Sequence, residues 1–203
     1  VKFVRYFIIS FHNRVIRMPF IHTEFPGLMI FEPIVFEDQR GYFFESYNEK
    51  IFASAGLNHN WVQDNQSKSC YGVIRGLHYQ LHPQAQAKLV RVLEGSVWDV
   101  AVDIRKGSPT YAKVFGIELS DTNKLQLLIP KGFAHGFSVL SESASVLYKC
   151  DNFYSRECEG SIIYNDPVLQ IDWKIPLEKM ILSEKDKKHV GFADARNNFE
   201  FEG

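Results

Sequence analysis

Between Trp61 and Tyr164 the chain is one short apolar run after another. WVQDNQSKS, GVIRGLHYQ, KLVRVLEG, SVWDVAVDI, KVFGIELS, KLQLLIP, GFAHGFSVL and ASVLYKC follow in order, separated by Gly, Pro, Ser, Asp or Asn. Many short strands at this spacing predict an all-β sandwich or barrel. The 17 phenylalanines and 9 tyrosines tilt the composition the same way. Residues 20–50 read as further short strands, broken at Pro26-Gly27 and at Asp38-Gln39-Arg40-Gly41. Glu49 to Ala55, closed by Gly56, is the helix candidate of the first half. The more polar segment 175–203 is expected to pack short helices or loops against the barrel.

At 203 residues the chain is long enough to bury a substantial core as one domain. Lysine plus arginine (23) nearly cancels aspartate plus glutamate (24), and no basic stripe points to a nucleic-acid partner. Cys70, Cys150 and Cys158 are odd in number and lack metal-ligand spacing, as expected of reduced thiols in a cytoplasmic protein. Residues 1–17 hold no apolar run long enough for a membrane span and no signal-peptide pattern. We read them as an upstream extension before Met18-Pro19-Phe20, with 18–203 as the single folded domain; the alternative is an added edge strand.

Alternation in SVWDVAVDI sets Trp98, Val100, Val102 and Ile104 on one face and Asp99, Ala101 and Asp103 on the other. Carboxylates inside a small barrel are costly unless they line a wet pocket, so the interior is where a site is expected. Taken singly, the polar residues of these strands have plain structural readings. A strand histidine such as His78 more often satisfies a buried hydrogen bond, and Lys88 reads as a solvated edge charge. Tyr148 could be core with its hydroxyl at a rim, and Asp186 a surface pair with lysine.

Pro130-Lys131-Gly132-Phe133-Ala134-His135 matches the second half-motif of the cupins, double-sheet jelly-roll barrels. The first half-motif supplies a metal-binding His-x-His pair, and here the run is His78-Tyr79-Gln80; the barrel is kept and the metal set is not. Eight segments then narrow the likeness: FEDQRGYFFESYN (36–48), QDNQSKS (63–69), GVIRGLHYQ (72–80), AKLVRV (87–92), DVAVDIRKGSPT (99–110), IPKGFAHGF (129–137), LYK (147–149) and LSEKD (182–186). In this order they resemble the dTDP-4-dehydrorhamnose 3,5-epimerases, from about Thr23 to Asp186.

The resemblance implies a cupin-like jelly roll with short peripheral helices, no cofactor and no metal in the reaction, a dTDP-sugar substrate and a homodimer. By residue, it implies that His78 is the general base, Asp186 its carboxylate partner, Tyr148 the acid on the opposite sugar face and Lys88 the enolate-stabilising cation. Arg75 and His135 would line the pocket, and Arg40, Glu45, Gln63, Asn65 and Ser67 would serve the nucleotide and diphosphate, some from the second subunit. The chemistry suits these types. Hydrogens beside a ketone are acidified because the carbanion becomes an enolate, so inversion needs a base, an opposed acid and a cation near the oxygen. Related readings are a 3-only epimerase and, in another class, a non-catalytic nucleotide-sugar binder or a metal-dependent cupin.

One conflict remains. In an ideal strand Arg75 and His78 point to opposite faces, so both reach one pocket only if Gly76 permits a bulge.

Overall fold

The structure, a computed structural model, describes residues 8–11, 14–17 and 19–202. Two hairpins stand apart from the main body: β1 (Ile8–Phe11) with β2 (Arg14–Arg17), and β5 (Phe36–Asp38) with β6 (Gly41–Phe43). The first falls within the proposed extension; among the described residues its strands pair with each other, and the remainder of residues 1–18 lies outside those residues.

The body is two antiparallel sheets. The six-stranded sheet runs β3 (Phe20–His22), β4 (Met29–Phe31), β12 (Gln126–Ile129), β9 (Lys88–Glu94), β14 (Ser143–Cys150), β7 (Gln63–Cys70). The five-stranded sheet runs β11 (Val114–Ser120), β10 (Ser96–Asp103), β13 (Phe133–Val139), β8 (Ile74–Gln80), β15 (Glu159–Ser161). From β7 to β15 the chain passes back and forth between the sheets, the connectivity of a jelly roll. All eight runs between Trp61 and Cys150 form strands where the pattern placed them. The helix also forms: α1 (Glu49–Ser54) starts on Asn48, whose side chain accepts from the Lys50 N–H, and Gly56 follows it at φ +79°.

Three apolar layers hold the sheets. Between them lie Val90, Val92 and Val146 of one sheet and Val97, Ala101, Phe137 and Val139 of the other. Outside the five-stranded sheet, Leu77, Val100, Val102 and Ile104 pack under the C-terminal segment through Leu169, Trp173 and Phe199. Outside the six-stranded sheet, Phe52 of α1 packs on Phe20, Phe31, Leu89 and Leu128. Alternation in β10 therefore holds: Val100 and Val102 face the outer layer, and Val97 and Ala101 the space between the sheets.

Asp103 departs from the pocket-lining expectation. Its buried carboxylate accepts from Arg105 Nε (2.9 Å) and Nη2 (2.7 Å), Ser108 Oγ (2.6 Å) and Thr110 Oγ1 (2.7 Å). Arg105 Nη2 also donates to the Pro26 carbonyl at 3.0 Å, tying the segment DIRKGSPT to the first turn of the domain. Its charge is used to fasten the end of the sandwich.

Candidate active site

The conflict in β8 resolves at Gly76. His78 pairs with His135 and Arg75 with Phe137, so three steps along β8 match two along β13. Gly76 is the extra residue of this bulge, at φ +135° and joined to Leu77 by a cis peptide. A Cβ there would lie 2.5 Å from the Gly136 Cα, so glycine is required for conformation and for close approach. Ile74 and Leu77 face the outer layer while Arg75 and His78 line one inner cavity.

That cavity, of about 410 Å³, opens between the sheets. The five-stranded sheet contributes Arg75, His78 and His135; the six-stranded sheet contributes Gln63, Asn65, Ser67, Lys88 and Tyr148 from the facing side. Asp186 reaches it from a single 3₁₀ turn, Asp186–Lys188, packed on β8. His78 Nε2 lies 3.0 Å from Asp186 Oδ1. Burial pushes the Asp186 carboxyl up, but the hydrogen bond and charge of His78, with Ser183 and His189, outweigh it and hold the group below the ordinary carboxylate value. The carboxylate is thus the acceptor and His78 carries its proton on Nε2, while Nδ1 is buried and makes no hydrogen bond.

Across the cavity, Lys88 Nζ sits 5.8 Å from the centre of the Tyr148 ring. Burial lowers the lysine's pKa, while Cys150 and Asp99 pull it back. Burial raises that of Tyr148, so the phenol stays protonated at neutral pH, with the Arg75 charge easing proton release. Beneath the cavity, His135 Nε2 lies 3.0 and 3.1 Å from the two oxygens of fully buried Asp99. Burial lowers the His135 pKa more than Asp99 raises it, which favours neutral imidazole. Of the other tyrosines nearby, Tyr79 is spoken for: its hydroxyl donates to the Arg196 carbonyl and burial pushes its pKa up to about 12. Tyr154 is 55 % exposed at the mouth, whereas Tyr148 is enclosed.

A family model described as dTDP-4-dehydrorhamnose 3,5-epimerase matches residues 22–194. The chain belongs to this epimerase family. A Shigella flexneri dTDP-4-dehydrorhamnose 3,5-epimerase is 54 % identical over 179 residues, 88 % of this chain and 98 % of the relative. The crystal structure of the Elizabethkingia anophelis enzyme of the same name is similar at 60 % identity and TM-score 0.83, over 86 % of this chain and 96 % of that one. A Legionella pneumophila 3,5-epimerase solved with dTDP-4-keto-L-rhamnose matches at 49 % identity and TM-score 0.83, over 86 % and 93 %. The cupin-like jelly roll expected from the sequence is the fold these epimerases share.

Nine of the eleven residues singled out in the sequence line the one cavity: His78, Tyr148, Asp186, Lys88, Gln63, Asn65, Ser67, Arg75 and His135. Arg40 and Glu45 do not. Arg40 is at the tip of the projecting β5–β6 hairpin, its side chain 90 % exposed and paired with Asp38, and Glu45 accepts from Asn48 beside α1. Sequence reasoning missed Ser69, which accepts from Arg75 Nε at 3.0 Å, and Glu159, which anchors the Asp186 turn through Lys185 at 2.6 Å. It also missed the Asp99–His135 pair, although the alternation in β10 had turned Asp99 inward. His189, packed on His78 and Asp186, carried no signal at all.

Proposed function

We infer that the protein catalyses epimerisation at C3 and C5 of dTDP-4-dehydro-6-deoxy-D-glucose, giving dTDP-4-dehydro-L-rhamnose, and is an isomerase that needs no cofactor. The observation that carries this is the placement of base and acid on opposite sheets, with the sugar's space between them. His78 takes the proton from the carbon beside the ketone, and the electron pair moves onto O4 as an enolate. Lys88 balances the developing charge there, a preorganised cation that needs no rearrangement as the charge appears. Tyr148 then delivers a proton to the other face. His78 returns its proton to solvent, Tyr148 regains one, and the cycle repeats at the second carbon. Asp186, 3.0 Å from the ring, holds the imidazole in place and stabilises the imidazolium that forms.

Gln63, Asn65 and Ser67, on β7 beside Tyr148, and Arg75 on the facing sheet suit the nucleotide and diphosphate. Arg40 and Glu45 belong to the same function through a homodimer, in which the projecting hairpin reaches the partner's cavity. The exposure of Phe36 (62 %) and Phe43 (67 %) on that hairpin supports such an interface. A cytoplasmic enzyme fits a nucleotide-sugar substrate and free thiols; among the described residues no helix is long and apolar enough to cross a membrane. Incubation with the 4-keto sugar in D₂O tests the assignment. Deuterium at both C3 and C5 is expected. Exchange at C3 alone would make it a single-centre epimerase, and none from dTDP-binding protein would leave a binder.

A further inference from the structure

One group near the cavity has no place in that chemistry. The His189 side chain is only 5 % exposed, and neither ring nitrogen reaches good hydrogen-bond geometry, the Ile162 backbone being the polar group beside it. A buried imidazole so weakly satisfied is uncommon in a native structure and calls for an explanation. Its Nε2 is 3.6 Å from Asp186 Oδ1, beyond hydrogen-bond reach, and the same oxygen is 3.0 Å from His78 Nε2. The His189 and His78 rings stand nearly perpendicular, at 83°, with centres 5.1 Å apart. One donor atom from each of the three residues lies within 4.8 Å of the others.

We propose that His78, Asp186 and His189 form a binding site for a divalent transition metal such as Zn²⁺, and that its occupation inhibits the enzyme. Tetrahedral zinc with ligands at about 2.0–2.1 Å places neighbouring donor atoms about 3.3–3.5 Å apart. The two edges to Asp186, 3.0 and 3.6 Å, fall on either side of that spacing, and the third, between the imidazoles, is within 4.8 Å and closes as the rings turn onto the ion. Two neutral imidazoles and one carboxylate are a donor set zinc favours. It shares His78 with the cupin metal position but takes its other ligands, Asp186 and His189, from the C-terminal segment, Gln80 standing where the cupin's second histidine would be. The inhibition rests on the assignment of His78 as base. Metal held by His78 and Asp186 takes the ring and its carboxylate partner out of proton transfer.

The first measurement is a Zn²⁺ titration of the full chain labelled with ¹⁵N-histidine, following each ring by NMR. The His78 and His189 resonances should move together and saturate at one zinc per chain, with His59, His82 and His135 unmoved. Zinc shifting other rings, or none, would overturn the site in the wild-type protein without any variant. By calorimetry His189→Phe, which keeps the buried volume apolar, should bind zinc at least tenfold more weakly at an unchanged melting temperature; equal affinity would refute the assignment. Turnover should fall on adding zinc and return with EDTA. Full activity at saturating zinc would remove the inhibitory role alone. Metal binding in a protein without turnover would instead count against the epimerase reading and leave the site standing.

Discussion

At the scale of single residues, the same side-chain types do opposite jobs according to their surroundings. Asp186 and Asp103 are both buried carboxylates held below their ordinary pKa, yet one pairs with His78 at the cavity and the other fastens a loop. For Asp103, burial acts upward and the hydrogen bonds of Arg105, Ser108 and Thr110 outweigh it. A depressed folded-state value means its stabilisation is fully present above the unfolded value, about 3.9, and is lost as pH falls through the folded one. Asp103→Asn should therefore lower the melting temperature clearly at pH 7, and the gap to wild type should close as both are measured below about pH 4. At the site, His78→Asn should cut turnover by about 10²–10⁴-fold while dTDP still binds, since positioned acid–base groups contribute on that order. Turnover and affinity falling in parallel would mean that His78 holds substrate instead.

The element that matters most is β8. Its bulge lets a strand with the sequence IRGLHYQ put an arginine and a histidine on the same side, which a regular ladder forbids. Gly76→Ala forces a side chain into a left-handed conformation and against Gly136, so it should cost at least about 2 kcal/mol of stability. Whatever protein folds should have lost activity, read as a lowered denaturation midpoint together with absent deuterium exchange. A fully stable and active variant would show that the bulge does not set the pocket. Here sequence reasoning reached the structural answer, because alternation is strict enough that two residues out of phase demand an extra one between them. Alternation reads only one strand at a time, however. It turned Asp99 inward without revealing His135 opposite, since the pairing of Ala101 with His135 follows from sheet order.

Over the whole molecule, the sandwich gives the site its two-sided character and leaves one element unused. The β5–β6 hairpin carries exposed Phe36, Tyr42 and Phe43 and has Arg40 at its turn, too far from its own cavity to line it. The protein should sediment at twice the chain mass, and Phe43→Glu should shift it toward the monomer and weaken dTDP binding. A wild-type monomer with full activity would exclude a shared site. The strands, the helix α1 and most of the cavity-lining residues were legible in the sequence because each depends on local spacing: a period of two, a cap, a turn residue, a motif of a few positions. The distances that make a site were not. His78 meets Asp186 across 108 positions only because the C-terminal segment folds back over the five-stranded sheet, and Lys88 faces His78 only because β8 and β9 lie in opposite sheets. His189 joins them by the same fold-back. Sequence alone determined which chemistry the side chains could do; the closing of the sandwich, driven by three apolar layers that no local pattern specifies, decided which of them would do it together.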